Sequence, residues 1–407
     1  MLYGLVALAM GTMVGIGGGN AAPDAGLPAS GVVVSAEHRI EFPNRIVLQL
    51  EAEFVESVVD VQLFYRIGRQ DTVIYGYPTI LRTSDGVSAE FVIQTSAAGF
   101  IPSGVDIEYY YAFVDTDGRT VETDRFNIEY LDPRYDWERY DAGSFELLWH
   151  DRPRALVESV ADEVNQRVLP VLSMFGVENL DKMKAVLTNG SRESSRTFPR
   201  VSQTASDSQL YSGFAFGEYD VFLLAGLGVD GMIHEMTHLL FDEAVNSPRA
   251  KVPAWVNEGL AMYFERGTSS RASIVSSAAR SGSLFRLENM GSVPGKPSDV
   301  RVYYAQSWSL VNFMVSAFGV ERMSTMLNAL NNGQPIDQAI QTAYGLTSLQ
   351  LESGWRTQLR AAPSFSQTID PGSFGTSIII TCAMLVTATV VTVRWLRRDR
   401  EPAIYDE

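Results

Sequence analysis

The strongest constraint on the fold of this chain is the run from His234 to His238, which reads His-Glu-Met-Thr-His. Two histidines four residues apart lie one above the other on the same face of an α-helix, where both can bind one metal ion. Apolar residues recur at helical spacing around them and predict a buried helix. These apolar residues are Val229, Met232, Ile233, Met236, Leu239, Leu240 and Phe241.

The glutamate inside this run, Glu235, gives the predicted site a chemical function. It sits beside the coordination position that two histidines leave open, where it can accept a proton from water. The whole sequence contains only 4 histidines, and two of them form the motif. The alternative is a core helix with two hydrogen-bonded histidines and no metal. It is the weaker interpretation, because a glutamate between histidines at this spacing rarely occurs by accident.

A third metal ligand must come from another part of the chain, because a catalytic zinc site uses three protein ligands and one water. Glu258 is the candidate. Pro253 is suited to the first turn of a second helix and Gly267 to its end, so Glu258 is predicted to be held on that helix. Ligation by two histidines and one glutamate favours Zn²⁺.

The His234–His238 motif and the stretch from Trp255 to Tyr263 (WVNEGLAMY) together resemble the gluzincin metallopeptidases, and within them the peptidase MA-like family. In gluzincins the third ligand is a glutamate on a second helix that follows the motif. The resemblance implies a zinc peptidase domain over residues 141–360 that hydrolyses a peptide or protein substrate. It further implies metal ligation by His234, His238 and Glu258, with Glu235 as the general base.

A second resemblance lies between Val302 and Val311, which is similar to the segment where gluzincin aminopeptidases carry a tyrosine. In those enzymes the tyrosine donates a hydrogen bond to the oxyanion of the tetrahedral intermediate. The resemblance implies this role for Tyr304, with Tyr303 as the alternative. Either side chain could instead pack at a helix start with its hydroxyl bonded nearby, as buried tyrosines usually do.

Two departures from the family pattern affect the predicted activity. The segment from Gly213 to Asp220 is the nearest to the Gly-x-Met-Glu-Asn element of the aminopeptidases but lacks its order, which favours an endopeptidase. Met262 stands where thermolysin-like relatives carry an aspartate that orients a zinc histidine, so another residue must do this. An aminopeptidase and a catalytically silent zinc-containing surface binding protein remain as alternatives.

Composition excludes some partners and ligands. With 407 residues, of which 46% are hydrophobic, the chain is long enough for two or three domains. A net charge of −16 argues against nucleic acid as a partner, because the chain has no basic excess to neutralise phosphates. The one cysteine, Cys382, leaves neither an intrachain disulfide nor a cysteine zinc site.

The region before the metal motif is predicted to contain a β-sandwich. Residues 30–131 hold short alternating segments separated by Asp-Gly turns, a pattern typical of an immunoglobulin-like or fibronectin-like sandwich. In the following α+β domain, residues 220–225 are predicted to form the edge strand of the sheet. An extended peptide could add to such an edge by β-augmentation.

Both ends of the chain predict a membrane-anchored protein. Residues 374–393 are uncharged and long enough to cross the bilayer, and arginines follow at once, which places residues 394–407 in the cytoplasm. Residues 361–373 form a linker, and residues 1–22 a signal peptide or an N-terminal anchor. The expected fold is therefore a sandwich, a zinc-peptidase domain and one transmembrane helix, located at the cell membrane with the catalytic domain extracellular.

Overall fold

The computed structural model describes residues 32–53, 58–82, 86–177, 182–199 and 212–361. Over these ranges the chain forms an N-terminal β-sandwich followed by an α+β domain with a helical lobe. The strands of the sandwich are β1 (Val32–Glu41), β2 (Arg45–Glu53), β3 (Val58–Ile67), β4 (Ile74–Gly76), β5 (Thr79–Arg82), β6 (Gly86–Gln94), β7 (Asp106–Asp115), β8 (Thr120–Glu122) and β9 (Phe126–Glu129).

The sandwich consists of two antiparallel sheets. One has the strand order β1-β2-β6-β5, and the other has the order β4-β3-β7-β8, with β9 also paired to β7. This division of consecutive strands between the sheets matches the immunoglobulin type. Alternate side chains of β7, such as Ile107, Tyr109 and Tyr111, are at most 1% exposed and fill the space between the sheets. The N-terminal β-rich domain therefore agrees with the expectation from the sequence.

The α+β domain contains five strands and ten α-helices among the described residues. Its strands are β10 (Glu138–Asp141), β11 (Phe145–Trp149), β12 (Met183–Thr188), β13 (Gly213–Phe216) and β14 (Val221–Ala225). Its helices are α1 (Arg154–Arg167), α2 (Leu169–Phe175), α3 (Ser191–Thr197), α4 (Val229–Ala244), α5 (Ala254–Tyr263), α6 (Thr268–Ser281), α7 (Pro297–Phe318), α8 (Val320–Asn331), α9 (Ile336–Tyr344) and α10 (Ser348–Ala361).

The five strands form a mixed sheet in the order β10-β11-β12-β14-β13. Strands β11, β12 and β14 are parallel, and the two outer strands run antiparallel to their neighbours. The prediction that residues 220–225 form the edge strand is wrong, because β13 pairs with β14 and lies outside it. The four residues of β13 are all apolar or glycine, so they lack the alternation by which a half-exposed strand is recognised.

The mixed sheet lies between the sandwich and the helices. Leu148, Val186, Phe214 and Leu223 project from one face into the same hydrophobic cluster as the sandwich core. Side chains of the opposite face, including Phe222, pack against helices α1 and α4. The two domains therefore share one apolar core, with the sheet as its middle layer.

No helix among the described residues is both long enough and apolar enough to span a bilayer. The longest, α7, begins with the charged residues Asp299 and Arg301, and its buried side chains pack within the helical lobe. The fold class with a transmembrane helix and the location at the cell membrane are therefore wrong for the structure as described. Residues 1–22, 362–373, 374–393 and 394–407, on which those predictions depended, lie outside the described residues.

Candidate metal centre

Helix α4 carries the two histidines of the motif into the centre of the α+β domain. All residues from Gly231 to Phe241 are buried, so neither face of this helix meets solvent over three turns. His234 is 0% exposed and His238 is 1% exposed. Their rings lie 4.8 Å apart between centroids, as expected for residues one turn apart on the same helix face.

Helix α5 brings Glu258 to the two histidines. The Oε2 atom of Glu258 lies 3.8 Å from the Nε2 atom of His234 and 3.8 Å from that of His238. The ligand atoms of these three residues all lie within 4.8 Å of one another. All three predicted ligands therefore meet at one point.

The donor atoms at this point suit a metal ion. Within the described part of the chain, both Nε2 atoms and the Oε2 of Glu258 are buried without a hydrogen-bond partner. Buried polar atoms are almost always paired, so three unpaired atoms that converge need a ligand of their own. Two imidazole nitrogens and one carboxylate oxygen are the donor set of a catalytic zinc site.

The electrostatics of the site also suit a cation. Burial lowers the pKa of His234 and of His238 to about 3, so both imidazoles are neutral and able to bind metal at neutral pH. Burial, and then the charge of Glu235, raise the pKa of Glu258 well above its ordinary value. A bound cation would compensate these buried carboxylates.

The region around this site is similar to a known protein superfamily. Residues 214–361 match the family model of the Peptidase MA superfamily. The match supports a gluzincin-like peptidase. It covers the helices that carry His234, His238, Glu258 and Tyr304, but not the sandwich. No curated protein matches the chain.

Several solved structures are weakly similar. The M1 zinc metallopeptidase from Deinococcus radiodurans aligns with 81% of this chain and 93% of its own, at 10% identity and a TM-score of 0.38. An aminopeptidase N family protein from Idiomarina loihiensis aligns with 89% of this chain and 72% of its own, at 10% identity and a TM-score of 0.29. The purple acid phosphatase PPD1 from yellow lupin aligns with 39% of this chain and 29% of its own, at 8% identity and a TM-score of 0.22. The chain therefore spans less than a third of the length of that phosphatase.

The two tyrosines proposed from the sequence have different surroundings. The hydroxyl of Tyr304 forms a hydrogen bond with Glu258, which places it at the metal centre. The hydroxyl of Tyr303 donates to the backbone oxygen of Met290 at 2.9 Å, in the core of the helical lobe. The geometry therefore favours Tyr304 over Tyr303 as a residue of the site, while its role in catalysis stays a prediction.

Residues that orient the histidines were not identified from the sequence. The Nδ1 atom of His234 is 2.5 Å from the Oε1 atom of Glu265, whose other oxygen accepts from Arg271. The Nδ1 atom of His238 is 2.8 Å from the Oδ1 atom of Asn257. These contacts fix each ring with its Nε2 atom directed to the metal position.

The signal for Glu265 was weak because it lies beyond the end of α5, which stops at Tyr263. One helical turn after Glu258, still within α5, stands Met262, which is buried and apolar. Asn257 directly precedes Glu258 in the sequence, and this adjacency is the signal that could have indicated it.

Proposed function

We propose that this chain is a zinc-dependent endopeptidase that hydrolyses internal peptide bonds of a peptide or protein substrate. The observation that carries the proposal is the convergence of three buried, unpaired ligand atoms from His234, His238 and Glu258. Glu235 is the residue next to His234 and is itself 0% exposed. Water activation needs such a carboxylate beside the metal position.

The residues have separate tasks in the proposed reaction. Zinc, when bound, would supply a Lewis acid that activates water and polarises the scissile carbonyl. Glu235 accepts the proton of the attacking water and later gives it to the leaving amine. The Tyr304 hydroxyl is hydrogen-bonded to Glu258 and turns its one proton from that carboxylate to the oxyanion of the tetrahedral intermediate, a contact worth about 3 kcal/mol in comparable oxyanion holes.

The edge strand supports an endopeptidase over an aminopeptidase. Gly213 and Ala215 face α4, whereas Phe214 and Phe216 project into the sandwich core. None of these four residues can bind the free amino group of a substrate as a carboxylate does. The nearest carboxylate in sequence, Glu218, lies in the turn after β13 and accepts from Gln70 of the sandwich at 3.4 Å.

The position of β13 also supports an extended peptide as substrate. In the described part of the chain, β13 is one of the two outer strands of the sheet and lies beside helix α4. A peptide that pairs with an edge strand presents its backbone in register. The scissile bond could in this way be held near Glu235.

The test uses the full chain loaded with zinc and internally quenched peptides whose amino termini are blocked. Glu235→Gln is expected to keep stoichiometric zinc while kcat falls by about 1000-fold, because the general base is lost. Glu243→Gln changes an exposed glutamate on the same helix and is expected to keep full activity.

The other outcomes separate the alternatives. Cleavage of peptides with free but not blocked amino termini would make the protein an aminopeptidase. Bound zinc without turnover would favour a binding protein, and failure to bind zinc would overturn the proposed site.

A further inference from the structure

We propose that Gly213 is the positioning residue for Glu235. Because glycine has no side chain, there is space at this position for the carboxylate of the general base to lie against the edge strand. The inference rests on the proposed function. A Cβ atom built on Gly213 would lie 2.5 Å from the Oε1 atom and 2.9 Å from the Cδ atom of Glu235. Real Cβ atoms do not approach other atoms this closely, so the carboxylate of Glu235 packs directly on the backbone of β13.

Gly213 is needed for space and not for its backbone conformation. It is not among the glycines of the described chain with a positive φ, and it pairs in regular antiparallel register with Leu224. An alanine could therefore adopt the same backbone angles. Its methyl group, however, would collide with Glu235. It would also lie 2.9 Å from the backbone oxygen of Leu223.

Glu235 has little freedom to move away from an added methyl group. It is 0% exposed, and the residues on either side of it on α4 are buried as well. It directly follows the proposed metal ligand His234 in the chain, and both residues are 0% exposed. A displaced carboxylate would therefore move relative to the metal position.

The edge strand is equally restrained on its other side. Phe214 is 1% exposed and Phe216 is 4% exposed, and both lie in the core that the sheet shares with the sandwich. The ring of Phe214 is 5.1 Å from that of Phe198, and the ring of Phe216 is 5.7 Å from that of Phe100 of the sandwich. The sandwich therefore packs on one face of β13 and α4 on the other, and Gly213 sets how closely strand and general base approach.

The same hairpin offers a matched control. Gly217 follows β13 directly, and a Cβ atom built there would overlap the carboxylate of Asp242, another acidic residue of α4. Its backbone also lacks a positive φ. Gly217→Ala therefore introduces a methyl group between the same hairpin and the same helix. This methyl group would contact Asp242, a carboxylate that takes no part in the proposed reaction.

The experiment compares Gly213→Ala, Gly217→Ala, Glu235→Asp and the double variant Gly213→Ala/Glu235→Asp as full chains loaded with zinc. Gly213→Ala is expected to lower kcat by about 100-fold, because a displacement of the order of 1 Å at a reacting group has this effect. KM and zinc content should change by less than about threefold, as should every parameter of Gly217→Ala. In the Glu235→Asp background the shorter side chain leaves room, so Gly213→Ala should cost less than about fivefold in kcat.

Thermal unfolding gives a readout independent of turnover. Gly213→Ala should lower the melting temperature, and Glu235→Asp should restore part of the loss. If Gly213→Ala does not fold, folding of the double variant would support the contact, whereas failure of both to fold would overturn it.

The remaining outcomes distinguish the two proposals. Equal losses of kcat in Gly213→Ala and Gly217→Ala, or an equal effect of Gly213→Ala in both backgrounds at position 235, would overturn the role of Gly213 alone. A wild-type chain that binds zinc and cleaves no peptide would overturn the proposed function, and the positioning role with it.

Discussion

The Nδ1 atom of His234 lies 2.5 Å from a carboxylate oxygen of Glu265, whereas the Nδ1 atom of His238 lies 2.8 Å from the amide oxygen of Asn257. The two histidines of one metal centre thus have unequal partners. A carboxylate behind an imidazole raises its basicity, and an amide mainly orients it. Arg271, which donates to Glu265, holds that carboxylate in place.

Glu265→Gln is therefore expected to weaken zinc binding by about 10–100-fold, because the glutamine cannot raise the basicity of His234. The dissociation constant can be measured by competition with a chromogenic chelator. Asn257→Asp is the reciprocal change, which places a carboxylate behind His238, and it should strengthen binding or leave it unchanged. Unchanged affinity in Glu265→Gln would mean that Glu265 acts only in packing.

The sequence predicted the parts of the site that depend on regular helices. The four-residue spacing of His234 and His238 fixes their common face whatever surrounds them, and Pro253 marks the start of the helix that carries Glu258. The partners of the ligands could not be predicted in the same way. Glu265 lies past a helix end, so its position depends on how α5 and α6 are connected and not on periodicity.

The position of β13 in the sheet depends on tertiary packing and could not be predicted from sequence periodicity. Residues Gly213–Phe216 carry no strand alternation because their two faces are both buried, one by the sandwich and one by α4. Nothing in the local sequence indicates that a separate β-domain covers this sheet. The sequence therefore predicts the edge strand at the more recognisable β14.

The close approach of helices α5 and α7 at Gly259 leads to a second prediction. A Cβ atom built on Gly259 would lie 2.6 Å from the backbone oxygen of Ser307. Gly259→Ala should force the helices apart and lower the free energy of unfolding by about 2 kcal/mol. Because Glu258 is the adjacent residue, zinc affinity should fall as well.

Urea unfolding and chelator competition would measure both effects. Gly291→Ala provides the comparison, because a Cβ atom there meets nothing within 4 Å and the backbone has no positive φ. It should change the free energy of unfolding by less than about 0.5 kcal/mol. Equal stability of the two variants would contradict the importance of the contact.

An ion-pair cluster at the interface between sandwich and sheet gives a third prediction. The Nζ atom of Lys184, on β12, lies 2.7 Å from Asp106 and 2.8 Å from Glu129, both on the sandwich. The side chain of Lys184 is only 16% exposed. Lys184→Gln should therefore leave two carboxylates without this partner and lower the free energy of unfolding by about 2 kcal/mol.

Arg39→Gln is the control for this prediction, since Arg39 is 62% exposed in its pair with Glu41. Its effect should stay below about 1 kcal/mol. Calorimetry of both variants should further show one unfolding transition, because the two domains share a core. Two separated transitions would contradict the shared core.

Asp242 predicts a dependence of stability on pH. Burial raises the pKa of this carboxyl to about 7. The pKa of this carboxyl is therefore higher in the folded state than in the unfolded state, where it is about 3.9. The resulting contribution to stability is fully present below about pH 3.9 and is lost as the pH rises through the folded pKa of about 7. Asp242→Asn should therefore be more stable than the wild type at pH 8, and the difference should shrink at pH 5.

Urea unfolding at the two pH values would test this, with Glu243→Gln as the exposed neighbour on the same helix. All titrating groups other than Asp242 are common to the wild type and Asp242→Asn and cancel in their comparison. Parallel stability curves of Asp242→Asn and the wild type would contradict the raised pKa.

The two adjacent tyrosines of α7 separate catalysis from stability within one helix. Tyr304→Phe removes the hydroxyl that contacts Glu258 and should lower kcat by about 100-fold, since a single oxyanion donor contributes this much. KM should change little, and the free energy of unfolding should fall by about 1 kcal/mol because the buried Glu258 loses a hydrogen bond. Tyr303→Phe removes the bond to the Met290 oxygen and should lower the free energy of unfolding by about 1 kcal/mol while kcat is kept. The opposite pattern would assign the oxyanion role to Tyr303, and an unchanged kcat in both variants would leave the oxyanion without a tyrosine donor.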